Sequence, residues 1–147
     1  MAEMRQVSVG VVTACAAARA LDTLVVPGRA TACRVAEDES LFVCDPDVVG
    51  EITRELETRL TVVDADAVVL DTTDGWAALR IDGVDARAAV ATLSRLRIPE
   101  RGFTQGDVAR VATKVLVDDG GIVILAPAAA THHLRTRIER AVQGAAG

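Results

Sequence analysis

Val108-Ala-Arg-Val-Ala-Thr-Lys-Val-Leu-Val117, then Asp118-Asp-Gly-Gly121, then Ile122-Val-Ile-Leu-Ala126 and Pro127 form the stretch whose reading decides the fold. Two apolar, β-branched runs flank a polar, glycine-bearing turn, which is the pattern of an antiparallel hairpin. Pro127 then opens a helix, because its missing N–H costs nothing in a first turn. Leu134, Ile138 and Val142 recur on one face of that helix.

The same order recurs upstream. Ala30–Ala36 and Leu41–Cys44 flank Glu37-Asp-Glu-Ser40, and Asp45-Pro46 supplies a carboxylate N-cap and a proline at the first helical position. Val48, Val49, Ile52, Leu56 and Leu60 line that helix. Ala67–Asp71 and Trp76–Ile81 flank Thr72-Thr-Asp-Gly75 as a further hairpin, followed by a helix capped at Asp82 that carries Ala86, Ala89, Val90 and Leu93. Glu55/Arg59 and Arg135/Glu139 are i, i+4 pairs. The chain thus reads as an α+β fold of repeated β-β-α units, an antiparallel sheet with helices packed on one face. Residues 1–147 form one domain in this reading. Residues 1–23 depart from the repeat: Val7–Val12 reads as a strand and Thr13–Leu21 as a short helix. Residues 144–147 read as a frayed tail.

Composition narrows the function. The 147 residues carry a formal charge of −5 and only three aromatics, Phe42, Trp76 and Phe103. A net negative chain repels phosphate backbones, and three aromatics make a poor platform for stacking bases, so nucleic acid is not expected as a partner. No apolar run reaches the ~18 residues that span a membrane. Val7–Ala20 does not read as a secretory leader, because Ser8, Gly10 and Thr13 interrupt its core. Three cysteines without a C-x-x-C pair suggest neither a disulfide framework nor a zinc site, and imply a reducing cytoplasm.

Candidate chemistry is sparse. Cys33 and Cys44 are symmetric about the first hairpin turn, which allows a cross-strand redox pair; the competing expectation is two small core hydrophobes. Cys15 has no activating neighbour. His132 and His133 are adjacent, so they point about 100° apart on a helix and are not expected to share a metal. The acidic groups cluster in turns, and Asp118-Asp119-Gly120-Gly121 lacks the ligand spacing of a calcium loop. No residue is assigned as catalytic, cofactor-binding or metal-ligating. Trp76, after a turn, and Phe103, in the irregular connection Arg95–Gly106 with Arg95, Arg97 and Arg101, are the candidate partner interface. The alternative is a solvated arginine-rich loop over a core phenylalanine.

Three segments resemble a known family. Asp71-Thr-Thr-Asp-Gly-Trp-Ala-Ala-Leu-Arg-Ile-Asp-Gly-Val-Asp-Ala-Arg87 resembles the central segment of heterotetrameric sarcosine oxidase gamma subunits, whose helix opens with Gly-x-Asp-Ala-Arg. Leu96–Arg110 is similar to the family's Leu-x-Leu connection ending in Phe-x-x-Gly, and Asp38-Glu-Ser-Leu-Phe-Val43 to its Asp-Glu-Trp-Leu-Leu hairpin, with Ser40 in place of the tryptophan. The resemblance covers residues 30–142. It implies a glycine cleavage T protein-like fold and a non-catalytic role in a flavin-dependent complex that oxidises sarcosine or a related N-methyl amine. It further implies that FAD or FMN, NAD and tetrahydrofolate are held by larger flavoprotein subunits and not by this chain. The alternative expectation is a stand-alone module that binds folate, another one-carbon carrier or a small ligand.

Overall fold

The computed structural model describes residues 2–146. In chain order the elements are β1 (Ala2–Val7), β2 (Gly10–Cys15), α1 (Ala18–Asp22), β3 (Ala30–Ala36), β4 (Glu39–Cys44), α2 (Val49–Thr61) and β5 (Val68–Asp71). They continue with β6 (Trp76–Gly83), α3 (Ala86–Ala91), β7 (Gly102–Val108), β8 (Val111–Asp118), β9 (Gly121–Pro127) and α4 (Thr131–Ala146). The fold is α+β. Its strands form two antiparallel sheets, in the orders β1-β6-β9-β8-β7 and β3-β4-β2-β5, within two compact units.

The unit spanning Ser8–Asp74 is built on β2, whose Val11, Val12 and Thr13 suit a central strand between β4 and β5. Val12, Ala14, Phe42 and Cys44 alternate onto the face covered by α2. There Val49, Ile52, Leu56 and Leu60 present a stripe at helical spacing. Burying each such aliphatic side chain contributes about 1.5–3 kcal/mol. Gly10 permits the contact at the helix start, because a Cβ there would overlap a Val49 methyl.

The other unit combines β1 with the chain from Gly75 onward. Leu79 and Ile81 of β6, Ile122 and Ile124 of β9, and Val115 and Val117 of β8 alternate onto one face, beneath Val90 of α3 and Leu134 and Ile138 of α4. Thr113 is buried on β8, but its hydroxyl donates to the Gly106 carbonyl at 2.8 Å and so carries no desolvation penalty.

Several expectations from sequence are corrected. There are two sheets where one was expected, and the central β-β-α unit does not form: β5 pairs with β2, whereas β6 pairs with β1 and β9. The turn between β5 and β6 is tied to β2, with Thr72 N–H donating to the Val11 carbonyl at 2.9 Å and Val11 N–H to Thr73 Oγ1 at 3.0 Å. Asp82 lies in β6 and not at a cap, held by Arg80; Asp85 occupies the N-cap of α3. Asp45 and Pro46 do start a helical segment, but as a short 3₁₀ turn without a side-chain cap bond. The N-terminal segment supplies one strand to each sheet, and α1 is limited to five residues. Residues 102–106, read as the end of the connection, belong to the edge strand β7, and the long run from Val108 is broken at Ala109–Arg110. Helix α4 continues through Gly144 to Ala146, and Gly147 lies outside the described residues. The hairpins β3–β4 and β8–β9, helices α2 and α4, and both i, i+4 ion pairs form as expected.

Candidate interaction site

The thiols do not form a pair. Cys33 lies opposite Leu41 and Cys44 opposite Ala30, because a bulge between Arg34 and Ala36 and a tight turn shift the register by three from the symmetric one. Cys33 shares the sheet face of Leu41, whereas Cys44 shares that of Phe42, on opposite sides of the pleat. Burial pushes the Cys33 thiol up to about 12. The Cys44 thiol is raised by burial and by Asp45 and Asp71, and the Cys15 thiol by burial and by Glu39 and Asp38. Each shift disfavours the thiolate, the reactive form of a cysteine.

Two of the acidic groups are engaged by local hydrogen bonds. Asp118 accepts two hydrogen bonds from Arg80, at 3.2 and 3.0 Å, and one from the Gly120 N–H at 2.7 Å. These bonds, Arg80 first, hold its carboxyl below the usual range. Asp64 accepts the Ala17 N–H at 2.7 Å and the Asp66 N–H at 3.0 Å, which lowers its pKa. His132 and His133 are exposed in the first turn of α4. Among the described residues no group of three His, Cys, Asp or Glu side chains could hold a metal ion. Among the described residues no helix is long and apolar enough to cross a membrane.

The structure divides the residues expected to form an interface. Trp76 and Phe103 are half-buried on the same face of the five-stranded sheet, the face turned away from α3 and α4. Phe103 sits in one cross-strand row with Leu116, Val123 and Arg80, and Trp76 lies four residues along β6 from Arg80. Arg95 and Arg97 are exposed between α3 and β7, where their neighbours Leu96 and Ile98 pack on the opposite, helix-covered core. Arg101 is ion-paired with Asp119 beside the β8–β9 turn.

Sequence reading named Arg95 but missed the turn and the cleft beside it. The two residues joining β7 to β8 are Ala109 at φ 50° and Arg110 at φ 66°, a two-residue turn of type I′ geometry that favours Asn-Gly. With neither glycine nor asparagine present, composition carried no signal for it. The turn is fastened by Ala109 N–H donating to the Leu93 carbonyl at 2.8 Å, and His133 Nε2 lies 3.3 Å from the Ala109 carbonyl oxygen. Ser94 Oγ donates to the Asp107 carbonyl at 2.6 Å and accepts the Leu96 N–H at 3.1 Å. Between these segments opens a cleft of about 790 Å³ with Arg95, Asp107 and Arg110 on its wall. A second cleft of about 500 Å³ shares Thr92 and Leu93 with the first and carries Arg137 and Arg140 of α4. Such walls offer guanidinium donors to an anion.

No protein-family model and no curated protein matches the chain. Solved structures do. The chain superposes on a chain of the heterotetrameric sarcosine oxidase from Corynebacterium sp. U-96 in complex with pyrrole 2-carboxylate, with a TM-score of 0.79 and 14% identity, over 99% of this chain and 86% of that one. It superposes on the glycine cleavage system aminomethyltransferase T from Bartonella henselae with a TM-score of 0.67 and 15% identity, over 93% of this chain and 45% of that one. At such identities the likeness is one of fold, and the chain shares its fold with these two proteins.

Proposed function

We propose that this chain is a non-catalytic accessory subunit of a cytoplasmic, flavin-dependent complex that oxidises sarcosine or a related N-methyl amine, as sarcosine oxidase gamma subunits do. The observation that carries this reading is the superposition on a chain of a heterotetrameric oxidase, nearly complete for both chains and tighter than that on aminomethyltransferase T. The upward-shifted thiols agree with a role that leaves chemistry to larger subunits, where FAD or FMN, NAD and tetrahydrofolate would be held. The partner-facing surface in this proposal includes Trp76, Phe103 and the connection with Arg95, Arg97 and Arg101.

A tagged pull-down from the native host tests it, reading the mass of the intact complex and its flavin absorbance. The expected result is a heavy, yellow complex that Trp76→Ala weakens. A colourless species containing this chain alone would overturn the reading. Saturable heat on titration with tetrahydrofolate in that case would favour the stand-alone one-carbon module, for which the likeness to aminomethyltransferase T is the support.

A further inference from the structure

Four arginines, Arg95, Arg110, Arg137 and Arg140, stand on the walls of the two adjoining clefts. Among the described residues none of the four has an ion pair or side-chain hydrogen bond, which is also true of Arg97 outside the clefts, whereas the arginines at 5, 80, 101 and 135 in the same unit each pair with a carboxylate. Among the described residues Asp107 is the one carboxylate on either wall, so this lining carries four positive charges against one negative, a local excess of three in a chain whose net charge is −5. Unpaired guanidiniums gathered against the sign of the whole chain mark a surface built for an anion.

The backbone presenting them is held in place. His133, Arg137 and Arg140 recur at i, i+4 and i+7 along one face of α4. His133 at the Ala109 carbonyl sets that face beside the turn carrying Arg110. The Ser94 and Ala109 hydrogen bonds fix the opposite wall. Arg110 stands in left-handed backbone, where a glycine would be less strained.

We infer that these clefts dock a carboxylate-rich segment of the larger partner subunit. The inference rests on the accessory-subunit reading for the identity of the partner. An acidic protein segment fits better than nucleic acid: the chain is net negative, and neither cleft is lined by an aromatic side chain on which a base could stack. Both clefts are open to solvent, suited to a chain segment laid across them. Guanidinium forks bind carboxylates in bidentate fashion, which fixes register as well as attraction.

The test uses the full chain, with a fluorescent oligoglutamate peptide, a short DNA duplex and inorganic pyrophosphate as probes. Arg110→Gly and the double charge reversal R137E/R140E are measured beside the wild type. The expected result is saturable peptide binding at about 0.05 M salt, weakened roughly tenfold or more by about 0.5 M salt or by either variant. Arg110→Gly is expected to melt above the wild type, so that its loss of binding is not loss of fold. Absent peptide binding, equal binding by R137E/R140E, or tighter binding of duplex or pyrophosphate than of peptide would each overturn the inference. The pull-down separates the two readings. A yellow complex recovered equally well with R137E/R140E sinks the docking site alone. Peptide binding without any flavoprotein partner sinks the accessory-subunit reading and leaves an acidic-segment docking site.

Discussion

Cys33 and Cys15 illustrate how position decides what one residue type can do. Cys33 is fully buried with its thiol pushed up to about 12, and Cys44 is buried, whereas Cys15 is exposed at the end of β2. Alkylation of the native protein near neutral pH, read by mass spectrometry, is expected to modify Cys15 first, with Cys33 and Cys44 reacting only after unfolding. Rapid native labelling of Cys33 would contradict its place in the fold. Asp118 makes a second prediction. Its folded pKa lies below the unfolded value, so the stability it contributes is present above the unfolded carboxylate range and is lost as pH falls through the folded pKa. Its side chain is 53% exposed, and after solvent screening the contribution is no more than about 1 kcal/mol. Asp118→Asn is expected to lower stability near pH 7 by up to that amount, and the gap to the wild type should close in acid. A gap that persists at low pH would assign the loss to the turn and not to the charge. The acidic turn was legible from its residues, but its partner Arg80 was not, because only strand pairing brings position 80 beside 118.

At the scale of elements, contact depends on details smaller than a side chain. Helix α2 meets its sheet where Gly10 leaves room for Val49, with Cys44 Sγ 3.1 Å from the position a Cβ would take. Gly10→Ala therefore overpacks the junction and is expected to cost about 1–3 kcal/mol in urea unfolding. An unchanged midpoint would mean that the helix start shifts freely. The β7–β8 turn works in the opposite direction. Arg110→Gly relieves left-handed strain and is expected to stabilise the chain by about 1 kcal/mol in the same measurement. Helices α2 and α4 were legible because their apolar stripes keep helical period, and two hairpins because glycine or acidic clusters separate their strands. The edge strand β7 was not legible: Gly102, Gly106 and Asp107 weaken its alternation, and Ala109-Arg110 carries no turn signal.

At the scale of the molecule, each compact unit has its own buried cluster, one under α2 and one under α3 and α4. Native-state hydrogen exchange is expected to show two protected centres, β2 with β4 and β6 with β9 and β8, while the edge strands β1, β3, β5 and β7 exchange faster. Protection confined to one unit would count against two separate cores. Residue patterns by themselves determined the α+β class, the main helices, two hairpins and the absence of an activated thiol motif, because each of these depends on neighbours a few positions apart in the chain. The separation into two sheets, the parting of Cys33 from Cys44, the division of the expected interface and the gathering of four unpaired arginines were decided by the tertiary structure. A polar turn between two apolar runs reads alike whether the chain folds back or crosses to another sheet, and only the competition among strands for hydrogen-bond partners chooses between them.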